Sequence, residues 1–152
     1  MENVQTGAYI LIVKLPKTSE ISIGRLGRFN FKKGLYAYVG SAMNGLYPRV
    51  TRHFSKTKKK HWHIDYLLEY GAPIEAILIP SPVRIECEIN AYLQRIIDSR
   101  PFLEGFGSSD CDCFSHLHKI TGRMLMHIKE IARENNWLSY TWVRESEQVP
   151  RQ

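Results

Sequence analysis

Gly7-Ala8-Tyr9-Ile10-Leu11-Ile12-Val13 and Gly34-Leu35-Tyr36-Ala37-Tyr38-Val39-Gly40-Ser41-Ala42 are the two stretches that decide the fold. Both are apolar and rich in β-branched or aromatic residues, the composition of a strand buried in a sheet. The first predicts a buried strand over 7–15, the second a strand over 35–40. Side-chain direction repeats every two residues along a strand, so Tyr36 and Tyr38 share a face. Asn44-Gly45 marks a turn, and Pro48 suits the first turn of a helix that runs to about Phe54. Arg49 and His53 are four apart on that helix and lie on one side of it.

Working outward, residues 19–33 predict a short hairpin, with Ile21 and Ile23 alternating before Gly24 and Gly27, and Phe29 and Phe31 after. His61 to Gly71 predicts a helix stopped by Gly71 and Pro73. In its first turns His63 or Asp65 caps it or ties it to the sheet. Residues 74–80 predict another strand, and 85–97 a third helix with Ile85, Ile89 and Leu93 on one side. Residues 105–113 read as a turn-rich loop. A last amphipathic helix is expected over 121–134, then a tail in which Trp137, Tyr140 and Trp142 add a strand, and a flexible end at 146–152. The fold class expected is α/β: a small, mainly antiparallel sheet flanked by helices.

The bulk numbers fit one such domain. The chain has 152 residues, 43% hydrophobic and 24% charged, enough to bury a core. Its apolar runs fall short of the roughly 18 residues of a membrane helix. MENVQTG lacks a positive n-region, so a secretory signal is not expected, and three cysteines, an odd number, suit a reducing compartment. A cytoplasmic protein without membrane contact is the expectation. The net charge of +6 is unevenly spread. Residues 1–60 hold 12 Lys/Arg against two acids, while residues 61–152 hold 9 against 13. A positive N-terminal half suits a polyanion such as DNA, and Lys56, Lys58, Lys59 and Lys60 are the densest part of it. The competing reading is that this run is a solvated loop.

Taken in order, GAY (7–9), YVGSA (38–42), RVTRH (49–53), HWHIDYLL (61–68) and IECEINAYL (85–93), with the 105–117 loop, resemble the GIY-YIG nuclease family over roughly residues 5–120. The later segments resemble a small prokaryotic branch of that family, found alone or joined to endonuclease-III-like glycosylases. The resemblance implies a nuclease domain over 1–120 with residues 121–152 as a C-terminal extension packed on it. It implies cleavage of DNA phosphodiesters in repair or processing, with Mg²⁺ or Mn²⁺ as cofactor. Tyr9 and Tyr38 are the signature tyrosines: one acts on the attacking water, the other orients phosphate or water. A tyrosine with a pKa of ~10 is a poor base at neutral pH without help from a metal-bound water or Arg49. Arg49 is the phosphate clamp, since a guanidinium forks onto two oxygens. His53 binds phosphate or moves a proton. Arg52, with the four lysines and His61, tracks the DNA backbone.

The resemblance puts the metal-binding carboxylate on Glu88. Glu86 lies roughly 200° around the helix, so the two do not face one site. Cys111-x-Cys113-x-x-His116-x-His118 has residue types suited to zinc but not the usual paired spacing. The expectation is a tight loop with reduced, metal-free cysteines. A DNA-binding module without cleavage, and a zinc-stabilised interaction domain, are the alternatives to a nuclease.

Overall fold

The first strand sits at the centre of everything else. The computed structural model describes residues 5–56, 58–97 and 101–141. β1 (Gly7–Leu15) pairs antiparallel with β4 (Gly34–Ala42) on one side and β5 (Ala72–Pro80) on the other. β6 (Leu117–Ile120) adds to β4 and β7 (Leu138–Tyr140) to β5, giving the order β6-β4-β1-β5-β7. β2 (Ser19–Ile23) and β3 (Gly27–Phe31) form a separate two-stranded hairpin with Ile21 opposite Phe29. Among the described residues there are four helices: α1 (Leu46–Phe54), α2 (His63–Leu67), α3 (Glu86–Ile97) and α4 (Gly122–Glu134). This is the α/β class with an antiparallel sheet that the sequence predicted.

The pleat of the sheet divides the core in two. Tyr9, Leu11, Val13 and Leu15 of β1 pack with Tyr36 and Tyr38 of β4 beneath α1, α2 and the hairpin. Ile10 and Ile12 join Ala37, Val39, Ile77 and Ile79 beneath α3 and α4. Every second residue of a central strand is thus apolar toward each layer, which is why β1 reads as a continuous hydrophobic run.

Several boundaries differ from expectation for identifiable reasons. α1 begins two residues earlier than Pro48, after Gly45, whose φ of 128° suits glycine. α2 is shorter than 61–71. The Asp65 carboxylate accepts from the backbone N–H groups of His61 and Trp62, so those residues form the cap and not the helix. Strand β6 was not predicted at all. Residues 121–141 are integral to the sheet assembly: Ile128 and Ala132 of α4 share the core of Ile10 and Ile12, and β7 extends β5. Thr121 caps α4 by accepting from Met124 N at 3.1 Å. Trp142 and the expected flexible end at 146–152 lie outside the described residues. Among the described residues, no helix is long and apolar enough to cross a membrane.

Candidate active site

The two motif strands meet in register, and one glycine makes the meeting possible. Tyr9 of β1 lies opposite Gly40 of β4. A Cβ at position 40 would run into the Tyr9 ring and hydroxyl. Glycine therefore lets the Tyr9 side chain lie flat across β4. From there its hydroxyl reaches His53 Nε2 on α1 at 2.6 Å. Both groups are about 1% exposed. Burial depresses His53 to a pKa of about 3, with Asp65 opposing and Arg49, Arg52 and Lys58 assisting. His53 is thus neutral at physiological pH. Tyr9 and His53 form a buried hydrogen-bonded pair beneath the cleft.

Tyr38 is the tyrosine that faces outward. It lines a cleft of about 250 Å³ with Ser41, Arg49, Trp62, Glu86 and His116. Gly107, at φ 70°, closes over the Tyr38 ring, where an added Cβ would sit 2.8 Å from a ring carbon. The Gly107 N–H donates to His63 Nδ1 at 2.9 Å, which ties the start of α2 to this wall. Burial raises the Tyr38 hydroxyl well above its ordinary pKa, only partly offset by Arg49, and Tyr9 is likewise raised by burial. Both phenols are protonated at neutral pH and act as hydrogen-bond partners, not as resident phenolates.

Arg49 is held from two sides. Its guanidinium donates to the Ser41 carbonyl at 2.6 Å and lies 4.2 Å from the Trp62 ring centroid. The Tyr9 hydroxyl is a further hydrogen-bond neighbour of Arg49, and stacking on Trp62 keeps the planar cation on the cleft wall. Ser41 Oγ and His53 Nδ1 are buried with no hydrogen-bond partner among the described residues, and Ser41 is on the cleft wall. An orphaned buried hydroxyl beside an arginine is what a site for a polar ligand presents.

Two expected site residues are placed differently from the reading of the sequence. Glu88 is exposed on α3 and does not line the cleft; Glu86 does, with its side chain only 14% exposed. The reason is the helical rotation between them, which turns one carboxylate in and the other out. Glu86 also pairs with Arg84 at 3.2 Å. Arg52 is not presented for a backbone contact. It donates to both oxygens of Asp65, at 2.9 and 3.1 Å, and to the Lys59 carbonyl at 2.7 Å. Burial pushes the Asp65 carboxyl up, but the bonds from Arg52 and from the Trp62 and His61 amides outweigh it and hold it below its ordinary pKa.

The basic run splits in the same way. Lys60 pairs with Glu69 at 2.7 Å, and Lys58 donates to the Ser55 and His53 carbonyls. Lys56, Lys59 and His61 are exposed. His61 and Tyr38 line a side cleft continuous in sequence with the Trp62 wall.

Beside the cleft lies a second cluster. Cys87, Cys111, Cys113 and His116 bring their ligand-type atoms within 4.8 Å of one another. Burial raises the Cys87 thiol, reinforced by hydrogen bonds from Cys113 and Cys111. His118 is not part of it: its Nε2 meets Asn90 Oδ1 at 2.7 Å. Reading the sequence did not find Trp62, Ser41 or Cys87. Trp62 and Cys87 carry no spacing signal, because each reaches its place through tertiary packing.

The fold and cleft define an α/β domain with a polar, arginine-lined site on one end of an antiparallel sheet. The chain belongs to the family described as Domain of unknown function DUF123, which matches residues 8–137 and so takes in β6 and α4. No curated protein and no solved structure matches it.

Proposed function

We propose that the chain is a divalent-cation-dependent endonuclease that hydrolyses DNA phosphodiester bonds. The observation that carries this reading is the convergence of Tyr38, Arg49 and Glu86 on one cleft. The resemblance of the motif strands to GIY-YIG nucleases and the positive N-terminal half support it further. Arg49, always charged and oriented by Ser41 and Trp62, would clamp the phosphoryl oxygens. Protonated Tyr38 would donate to a phosphate oxygen or orient the attacking water. Tyr9 and His53 would hold the Tyr38 and Arg49 surroundings from below.

The residues also fit the expected cation. Mg²⁺ and Mn²⁺ take hard oxygen ligands, often one or two carboxylates with water completing the shell. Glu86, the Ser41 hydroxyl and Asp110 on the rim offer such oxygens. A bound cation would polarise the phosphoryl group and acidify water. Glu86 would hold it through its carboxylate.

The test is a nicking assay on single-stranded, duplex, branched and flapped DNA with Mg²⁺ or Mn²⁺. Glu86→Gln should lower cleavage by about 10²-fold or more, the scale of losing a main charge-stabilising group, and leave DNA binding intact. Glu88→Gln should be nearly silent. Loss in Glu88→Gln with survival in Glu86→Gln would move the cation outward and defeat this assignment. Wild-type protein that binds DNA and cuts none of these substrates would make it a binding module.

A further inference from the structure

We propose that Cys87, Cys111, Cys113 and His116 form a closed structural zinc site. The inference does not depend on the nuclease reading. All three cysteines of the chain converge on one histidine although they come from distant segments: Cys87 from the first turn of α3, Cys111 and Cys113 from the loop before β6. Their ligand-type atoms all lie within 4.8 Å of one another, close enough for one ion to bridge them. His116 Nε2 is 3.4 Å from Cys111 Sγ and 3.8 Å from Cys87 Sγ. Zn–S and Zn–N bonds of ~2.3 and ~2.0–2.1 Å at tetrahedral angles place sulfur and nitrogen ligand atoms about 3.6 Å apart.

The histidine is already in the tautomer a metal needs. His116 Nδ1 lies 2.9 Å from the Val39 carbonyl, and a carbonyl only accepts, so Nδ1 carries the proton. Nε2 is then the lone-pair nitrogen, and it is the atom turned toward the sulfurs. A backbone carbonyl orienting a ligating histidine in this way is the usual outer shell of zinc sites. Val39 is held a second time, since its N–H donates to the His116 carbonyl at 3.0 Å.

Soft thiolates with one imidazole select zinc over the hard cations expected in the cleft. Four protein ligands leave no open position, so the ion would be structural. Binding would displace the three thiol protons to solvent and create three Zn–S bonds and one Zn–N bond. What it would hold is specific. The 101–116 segment is largely without regular structure, yet it supplies Gly107 and Asp110 to the cleft wall. Cys87 is the neighbour of Glu86. One ion would therefore fasten the loop, the start of α3 and the Val39 strand together, and fix the wall of the cleft that Tyr38 and Glu86 also line.

The experiment begins with wild-type protein purified under reducing conditions without added metal. Elemental analysis should find about one zinc per chain. Replacement by Co²⁺ should give the visible bands of a tetrahedral site and the near-ultraviolet charge transfer of thiolate ligation. Cys87→Ser and Cys113→Ser should each lose most of the zinc and unfold at lower temperature, whereas Glu86→Gln should keep its zinc whatever its effect on cleavage. Cys87→Ser is the sharper variant, because a site made by the 111–118 loop alone would retain the ion. If the cysteine variants are insoluble, the Co²⁺ spectrum of the wild type decides. Metal-free wild-type protein with three freely titrating thiols, a disulfide between any two of the cysteines, a Co²⁺ spectrum without thiolate charge transfer, or full zinc content in Cys87→Ser would each overturn the proposal.

Discussion

Removing the Arg52 side chain tests whether that residue holds the fold or reads DNA. Arg52→Ala deletes two bonds to Asp65, at 2.9 and 3.1 Å, and one to the Lys59 carbonyl at 2.7 Å. The Asp65 side chain has no solvent exposure, while that of Arg52 is one quarter exposed. Breaking a buried pair by removing one partner costs ~3–5 kcal/mol, and a single bond to a charged group ~1.5–3 kcal/mol. Asp65 keeps two amide donors, from His61 and Trp62, which softens the loss. The expected cost is therefore about 2–4 kcal/mol. At ~2–4 °C per kcal/mol for a chain of this size, Tm should fall by about 5–15 °C.

The pH profile should move as well. In the intact protein the Asp65 carboxyl is held below its ordinary pKa. Its contribution to stability is present above the unfolded value of ~3.9 and is lost as pH falls through the lower folded value. Without Arg52, burial becomes the dominant influence and raises the carboxyl. Acid unfolding should then begin at higher pH. Urea titrations followed by circular dichroism at several pH values measure both effects. Arg52→Lys keeps the charge but not the fork, so it should recover only part of the loss. A cost below about 0.5 kcal/mol with an unchanged acid limb, together with weakened DNA binding, would refute the structural role assigned here and return Arg52 to the DNA surface.

Three further outcomes are expected. His53 is held near a pKa of about 3 while the unfolded chain protonates it near 6.5, so the stability it permits is complete above that unfolded value and falls with pH below it. The stability gap between wild type and His53→Gln should accordingly shrink by about 1.4 kcal/mol per pH unit below 6.5, and a flat gap in paired urea titrations would count against the neutral buried imidazole. Gly40→Ala puts a methyl group into the Tyr9 ring, so it should cost about 1–3 kcal/mol by overpacking and disturb the Tyr9–His53 bond. A thermal melt indistinguishable from wild type would show that the ring simply moves. Lys56→Ala with Lys59→Ala, two exposed lysines of the basic run, should lower the slope of log affinity for DNA against log salt by about 1.8, at ~0.9 per phosphate contact. An unchanged slope would mean that this face is not where DNA lies.

The elements that could be read without coordinates are those whose information is local. β1 and β4 announced themselves as hydrophobic runs, the 19–31 hairpin by alternation around two glycines, and α3 and α4 by their apolar stripes. The elements misread are those set by partners. Four-residue β6 contains His118 and Lys119, and its reason for being extended is the ladder it makes with β4, from Leu35 opposite Ile120 to Tyr38 opposite Leu117. α2 starts later than expected because Asp65, three residues past the cap position, takes the His61 and Trp62 amides for itself. Beyond Leu67 the chain closes in turns, with Glu69 N–H on the Tyr66 carbonyl and Tyr70 N–H on that of Leu67.

The site divides along the same line. That Tyr9, Tyr38 and Arg49 belong to one place is what the motif resemblance implies, and the pairing of β1 with β4, with α1 entered shortly after β4, brings them together. Which of them meets a ligand does not follow. Burial, a property of the whole packed molecule, hid Tyr9 behind Gly40 and left Tyr38 on the cleft wall. Helix rotation about α3 is set by the apolar side that docks on the sheet, and that docking turned Glu86 inward and Glu88 out. A charge in the sequence states only that a cation exists. Its neighbours in space made Arg52 an internal clamp on Asp65 and Lys60 a partner of Glu69, while Lys56 and Lys59 stayed in solvent. Cys87 stands 24 residues before Cys111 in the chain, and only the return of the loop across β4 sets the two sulfurs beside the same histidine.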